Sequence, residues 1–206
     1  MKPKYLTMVA IALAVTTAGA LAGAWVLVGG ASSPRVVSSG TAAIGGPFQL
    51  VSTNGHNVTD QSYRGKWLLI FFGYTNCPDA CPTALNDISV ALEKLGSDAA
   101  KLQPLFITVD PARDTREVMS DYLKSFDSRI VGLTGSEEQV DGVVKEYRVY
   151  VSRQKPEASG DDYLVSHSAY LYLMDPHGQF VNVIQGSEDG EAIAAWFRKQ
   201  MNNSKK

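Results

Sequence analysis

At 206 residues the chain has room for one ordinary domain plus an appendage, which argues against two full domains. Its 19 Lys and Arg against 21 Asp and Glu leave a formal charge of -2, which points to no nucleic acid and to no polybasic membrane surface. A hydrophobic fraction of 45% excludes a wholly disordered chain, and two cysteines four positions apart cannot form a disulfide scaffold, so the fold must stand on its core.

The N-terminal segment is the first local signal. No charged residue occurs from Tyr5 to Gly30, and the run is long enough to cross a bilayer, which takes about 20 apolar residues. Lys2 and Lys4 on the short upstream side keep residues 1–5 cytoplasmic and export the rest. We expect a transmembrane anchor over 6–29 in a bacterial inner membrane, single-pass, with the C-terminal domain in the periplasm. The competing reading is a cleaved signal peptide, since Ala20-Leu21-Ala22 and Ala22-Gly23-Ala24 resemble cleavage sites; the apolar run continues past both through Trp25 to Val28. The small, Gly/Ser-rich stretch 30–46 reads as a flexible tether, and 201–206 as a disordered tail.

From 47 to 200 strand and helix signals alternate, as in an α/β domain with a largely parallel sheet. Phe48 to Ser52 is a short strand entering the turn Asn54-Gly55. The run Trp67 to Phe72 is continuous and apolar, as in a strand buried on both faces, and it stops at Gly73. Leu85, Ile88, Leu92 and Leu95 recur at helical spacing in a helix from about Pro82. Pro104 to Asp110 is a second buried strand. Asp114 with Glu117, and Ser136 with Gln139, open two further helices. Tyr170 to Met174 and Phe180 to Ile184 are strands joined at Asp175-Pro176-His177-Gly178, and Glu191 to Arg198 is a last helix. This is the order of a thioredoxin-like fold, with Val149 to Val165 as an added loop or hairpin.

Chemistry concentrates at Asn76-Cys77-Pro78-Asp79-Ala80-Cys81-Pro82. A residue before proline avoids the α region, so both cysteines are expected in a tight loop with Pro82 as first helical residue. Thiols there face the positive end of a helix dipole, which favours thiolates. Three readings remain open. A structural disulfide closes too short a loop to stabilise much. A catalytic dithiol normally has two intervening residues, not three. A soft-metal site, Cu(I) or Zn, suits two thiolates without carboxylates but needs a third ligand.

Of three histidines, His56 and His177 lie in turns and read as solvated. His167 precedes the strand Ala169 to Met174, where redox members of the thioredoxin-like fold place a cis-proline beside the dithiol. No proline occurs between Pro156 and Pro176. A histidine satisfied structurally is the alternative to a ligand. Asp110, Arg113 and Asp114 are read as capping and turn residues, with a partner surface as the other possibility, and Phe71, Phe72 and Tyr74 as packing beside the site.

The strings F-F-G-Y-T-N-C-P-D-A-C-P (71–82), T-V-D-P-A-R-D-T (108–115), V-G-L-T-G (131–135), Y-R-V-Y (147–150) and S-H-S-A-Y-L-Y-L-M-D-P-H-G-Q-F (166–180) resemble the Sco/SenC family of copper proteins, in family order. The resemblance implies Cys77 and Cys81 as copper thiolates, His167 as third metal ligand, and one copper, Cu(I) or Cu(II), per chain. It further implies a membrane-anchored metallochaperone that helps assemble the CuA centre of cytochrome c oxidase. The partner would be the oxidase subunit carrying that centre, together with another copper chaperone or a thiol reductase. Two departures bear on metal preference: Ser166 stands where many members are acidic, and Asn76 where histidine is frequent.

The rival reading is a membrane-anchored thiol–disulfide reductase that keeps the oxidase copper-ligand cysteines reduced, with Cys77 and Cys81 as its redox-active disulfide. Peroxidase chemistry lacks a further constellation, and a copper-dependent redox sensor would carry the same residues. On the carrier reading the chain is not an enzyme.

Overall fold

The computed structural model describes residues 44–154 and 163–204. The anchor expected over 6–29, the N-terminus 1–5 and most of the tether lie outside them. Among the described residues no helix is long and apolar enough to cross a membrane.

Strand β1 (Gln49–Ser52) turns at Asn54-Gly55 into the short β2 (Asn57–Thr59). Gly55 holds φ +83°, a conformation that costs other residues a steric penalty. A 3-10 turn leads to β3 (Trp67–Gly73), in which every residue is buried, and then to α1 (Ala80–Leu95). There follow β4 (Leu102–Thr108), α2 (Arg116–Leu123), β5 (Val131–Thr134) and α3 (Glu137–Glu146). A hairpin of β6 (Val151–Gln154) and β7 (Leu164–His167) comes next. β8 (Tyr170–Met174), β9 (Phe180–Gln185) and α4 (Gly190–Asn203) complete the described chain.

Seven strands form one sheet in the order β2-β1-β5-β4-β3-β8-β9, and β6-β7 stand apart as a second, two-stranded sheet. The expectation of a largely parallel sheet is corrected: only β3/β4 and β4/β5 run parallel, and the other pairings are antiparallel. The reason is the connections. Only β3, β4 and β5 are joined by helices long enough to carry the chain back, whereas β1/β2 and β8/β9 are joined by tight turns.

Both crossovers step the same way across the sheet, so α1 and α2 cover one face. A Cβ on Gly73 would meet Cys81 of α1, and one on Gly132 would meet Leu123 and Met119 of α2. Trp67, on the same face as Gly73 by alternation, sets its ring edge-on to Phe197 of α4. The opposite face receives Tyr147 from the end of α3, against Phe72 and Tyr172. This is a mixed, thioredoxin-like α/β arrangement, and the insertion expected over 149–165 is the β6-β7 hairpin.

Several boundaries differ from expectation; the second buried strand, for one, is Leu102–Thr108 and not Pro104 to Asp110. Helix α1 begins at Ala80, not Pro82; a proline in the first turn still removes no intrahelical hydrogen bond, because those first N–H groups have none to make. Helix α2 is capped by Thr115, whose hydroxyl accepts from the Val118 N–H, and not by Asp114. Helix α4 runs through Asn203, into the stretch expected to be tail, because Met201 is one more buried apolar residue on its inner face.

Candidate metal centre

The site lies where β3 ends. Gly73 is followed by Tyr74 to Asp79, and the first turn of α1 brings Cys81 back against the strand. Glycine is required there: a Cβ on Gly73 would stand 2.9 Å from the Cys81 Sγ and 2.7 Å from the Phe106 ring. Cys81 is fully buried and Cys77, one loop earlier, is half-buried. The expectation of two loop cysteines therefore holds for Cys77 alone. The Cys81 N–H donates to the Cys77 Sγ at 3.4 Å, so the helix start offers an unpaired N–H directly to sulfur.

His167 arrives on a different element. It ends β7, paired with Val151 of β6, and its ring stands edge-on between the buried rings of Phe71 and Tyr74, at 6.2 and 5.9 Å between centroids. Its Nδ1 lies 3.1 Å from the Ser168 carbonyl oxygen. A carbonyl only accepts, so Nδ1 carries the proton and Nε2 presents a lone pair. That Nε2 is 3.6 Å from the Cys81 Sγ. The donor atoms of Cys77, Cys81 and His167 all lie within 4.8 Å of one another. The structure thus gathers the three residues singled out in the sequence. His56 and His177 are exposed, and no cis peptide occurs among the described residues.

The cysteines share charge unequally. The Cys81 thiol beside it is the main cause that pulls Cys77 far below the ordinary thiol range, with the N–H groups of Asp79 and Cys81 adding to it against burial. The same proximity to Cys77, then burial, pushes Cys81 up. Of the reduced pair, Cys77 is thus the sulfur that favours the thiolate and Cys81 the one that favours the thiol. Two soft sulfurs and one imidazole suit a soft metal ion that accepts three ligands, and among the described residues no carboxylate joins the group to favour a hard one.

A cavity of about 530 Å³ opens beside the centre, lined among others by His167, Ser168, Tyr150, Tyr170, Asp79 and Thr83. Neither cysteine lines it. Asn76 and Ser166 are both exposed.

Of the residues read as capping or turn residues, Asp110 does hold a turn, its carbonyl accepting from the Arg113 and Asp114 N–H groups, whereas Asp114 is not the cap. Both are fully buried, so neither offers a partner surface. The Asp114 carboxylate accepts from the Thr75 hydroxyl at 2.6 Å, the Thr75 N–H at 3.0 Å and the Thr108 hydroxyl at 2.6 Å. Burial raises its pKa, and those donors from Thr108 and Thr75 work in the opposite sense. The misleading signal was local: the D-x-x-E start overlaps Thr115, an equally good cap one residue later, which frees Asp114 for the interior.

The model of the SCO1/SenC family matches residues 36–202. "Protein SCO2, mitochondrial" of Saccharomyces cerevisiae is 41% identical over 163 residues, covering 79% of this chain and 54% of its own length. "Protein SCO1 homolog, mitochondrial" of Homo sapiens is 42% identical over 159 residues, covering 76% and 52%. The chain thus spans about half the length of these curated relatives. The structure of Bradyrhizobium japonicum ScoI with copper bound is similar at a TM-score of 0.71 and 46% identity, covering 77% of this chain and 99% of that one.

Proposed function

The chain belongs to the SCO1/SenC family, and from that premise we propose that it carries one copper ion on Cys77, Cys81 and His167 and delivers it, as cargo, to the CuA centre of cytochrome c oxidase. The observation that carries this reading is the convergence of two sulfurs and one imidazole nitrogen within 4.8 Å. The relative from Bradyrhizobium japonicum, whose structure is described as having copper bound, supports the choice of metal.

The residues are suited to a carrier. Cys77 favours the anionic form and Cys81 loses its proton on metal binding, so the thiolates supply charge while the His167 imidazole completes a trigonal set for Cu(I). His167 stands on a hairpin outside the main sheet and lines the open cavity, which the cysteines do not. An incoming thiolate meets His167 first, so exchange proceeds by displacing the imidazole and then the two sulfurs. The carrier performs no bond-changing chemistry on a substrate and is not an enzyme in this reading.

The apolar segment 6–29 anchors the chain in a bacterial inner membrane with the copper domain in the periplasm, and the client is the oxidase subunit that holds CuA. A second reading has one specific observation in its favour, the two sulfur-bearing residues in contact, the Cys77 Sγ accepting from the Cys81 N–H at 3.4 Å, with Cys77 the one whose thiol is pulled down. Such a pair can reduce a client disulfide while itself becoming a disulfide. That reaction has no use for a histidine at 167.

The deciding experiment is copper stoichiometry and affinity of the reduced full-length chain, wild type against His167→Ala. We expect one copper per chain, weakened by more than tenfold in the variant, since even outer-shell losses cost a metal site about 10–100-fold. Unchanged affinity and an unchanged Cu(II) spectrum in His167→Ala would mean that the three-donor model is wrong.

A further inference from the structure

The cysteine loop and the histidine hairpin share no strand pairing, because β6-β7 stand outside the seven-stranded sheet. The step from His167 into β8, which pairs with β3, and the packing of its ring on Phe71 and Tyr74 bring it to the cysteines; a shift of one ångström would still open the donor set, so what else ties hairpin to loop matters. The segment Thr108 to Asp114, which leaves β4 beside the site, touches both.

Toward the cysteine loop it presents Asp114. That carboxylate takes the hydroxyl and the N–H of Thr75, two residues before Cys77, and it is tied to its own strand by the Thr108 hydroxyl. The Asp114 carbonyl is also held, by the Thr134 hydroxyl at 2.8 Å from β5. Toward the hairpin the same segment presents Asp110 and Arg113. The Tyr163 hydroxyl, one residue before β7, donates to Asp110, whose other oxygen accepts from Arg113 Nε at 2.5 Å. Arg113 then donates through Nη1 to the Tyr163 carbonyl at 3.0 Å, and its guanidinium lies 3.9 Å over the Tyr163 ring. On the other strand, Arg153 of β6 donates to the Val109 carbonyl at 2.8 Å. The two arms are joined inside the segment, where the Asp114 N–H donates to the Asp110 carbonyl at 2.9 Å.

We propose that Thr108 to Asp114 is a bracket that sets the distance between the cysteine pair and His167, and that its Asp110–Arg113–Tyr163 arm governs how readily His167 gives way to an incoming thiolate. These are positioning residues; none reaches the donor atoms. Two buried carboxylates in a row of seven residues are costly unless fully used, and here each is used to hold a different ligand-bearing element. The bracket keeps the hairpin closed at rest, and the strength of its outer arm sets the rate of release.

The inference deepens the copper-carrier reading, and its metal-dependent arm rests on that reading. The test uses the reduced full-length chain with Tyr163→Phe, which removes one hydroxyl and keeps the ring under Arg113, and Arg153→Met, which cuts the grip on β6. Arg129→Met, which removes an exposed ion pair with Asp127, is the control. After loading with Cu(I), transfer to added glutathione is followed by stopped flow. Both bracket variants are expected to bind copper with wild-type stoichiometry and to release it about tenfold faster, the weight of one hydrogen bond to a charged group. Their Cu(II) forms should show weakened nitrogen coupling from His167, while Arg129→Met matches the wild type. Transfer rates and coupling equal to wild type in both variants would overturn the bracket. A second arm needs no copper: in the metal-free reduced chain the His167 ring signals in the NMR spectrum should shift or broaden in both bracket variants and not in Arg129→Met. If wild type takes up no copper, the carrier reading fails and this arm alone decides. Unmoved His167 signals there sink the bracket whatever the metal result.

Discussion

At the scale of single residues, the site depends on an absence as much as on its donors. Gly73 ends β3 with no side chain, and the Cys81 sulfur occupies the space a Cβ would need. Gly73→Ala should therefore push Cys81 or the Phe106 ring aside, at a cost of about 1–3 kcal/mol in stability, the usual range for overpacking. Copper affinity should fall with it, because Cys81 cannot move without leaving His167. A melt and a copper titration on the same sample check both; a variant that loses stability but keeps wild-type affinity would show that Cys81 has room to adjust.

The unequal cysteines make a second residue-scale prediction. Cys77 is pulled far below the ordinary thiol range and the buried Cys81 is pushed up, so iodoacetamide should modify the metal-free chain at Cys77 first. Its rate should stay nearly flat over about pH 5–8, where an ordinary thiol of pKa near 8.5 would accelerate steeply. The sign for stability follows from the depressed value at Cys77. The folded chain binds fewer protons there than the unfolded chain, so this group's contribution grows as pH rises toward the ordinary thiol range and is lost as pH falls through the folded pKa. The stability gap between wild type and Cys77→Ser should accordingly widen between pH 5 and 8. Mass spectrometry after alkylation and denaturant melts at two pH values test the pair of claims. Preferential labelling of Cys81 would contradict the assignment.

At the scale of elements, the strands and helices with strong periodicity were legible and their arrangement was not. Trp67 to Phe72 declares a doubly buried strand by composition alone, and Ser136 with Gln139 does form the capping box that opens α3. Nothing local tells β1 or β8 that its neighbour will run antiparallel, because strand direction depends on the length of connections elsewhere. The cysteine pair was legible for a different reason: cysteine and proline each have few structural uses, so their spacing carries information, whereas His167 stood out by a missing proline and became a ligand only through the family resemblance. Asp114 has many uses, and only its burial reveals the one it serves. Thr108→Val tests that use. It removes a hydroxyl donor from a buried carboxylate at nearly constant shape, and should cost about 1–3 kcal/mol. The loss should be larger at pH 7 than below pH 4, because the missing donor favoured the ionised form and matters little once Asp114 is protonated. A pH-independent loss would show that Thr108 acts through packing or through the Asp110 N–H its hydroxyl also accepts, and not through the Asp114 carboxylate.

At the scale of the whole molecule, the chemistry of the centre and the proposed location constrain one another. Two thiols four positions apart, one of them a thiolate, would oxidise in a periplasm, so a carrier working there must keep them reduced by copper or by a reducing partner. A tether also matters to delivery, because fixing carrier and client in one membrane raises their effective concentration without any new contact. Both arguments need the apolar segment 6–29 to persist in the mature protein. The family match begins at residue 36, so cleavage after Ala22 or Ala24 would leave the copper domain intact but free to diffuse. We therefore expect the mature chain to keep its full mass and to stay with the membrane fraction after extraction at alkaline pH. Cys77 should be labelled by a membrane-impermeant maleimide in intact spheroplasts once copper is removed. A shortened mass together with release into the soluble periplasmic fraction would replace the tether with a diffusing carrier. Labelling only after lysis would place the domain on the cytoplasmic side and remove the oxidising setting from the argument. In the expected case, replacing residues 6–29 with a cleavable signal should leave copper affinity unchanged and lower the yield of copper-loaded oxidase.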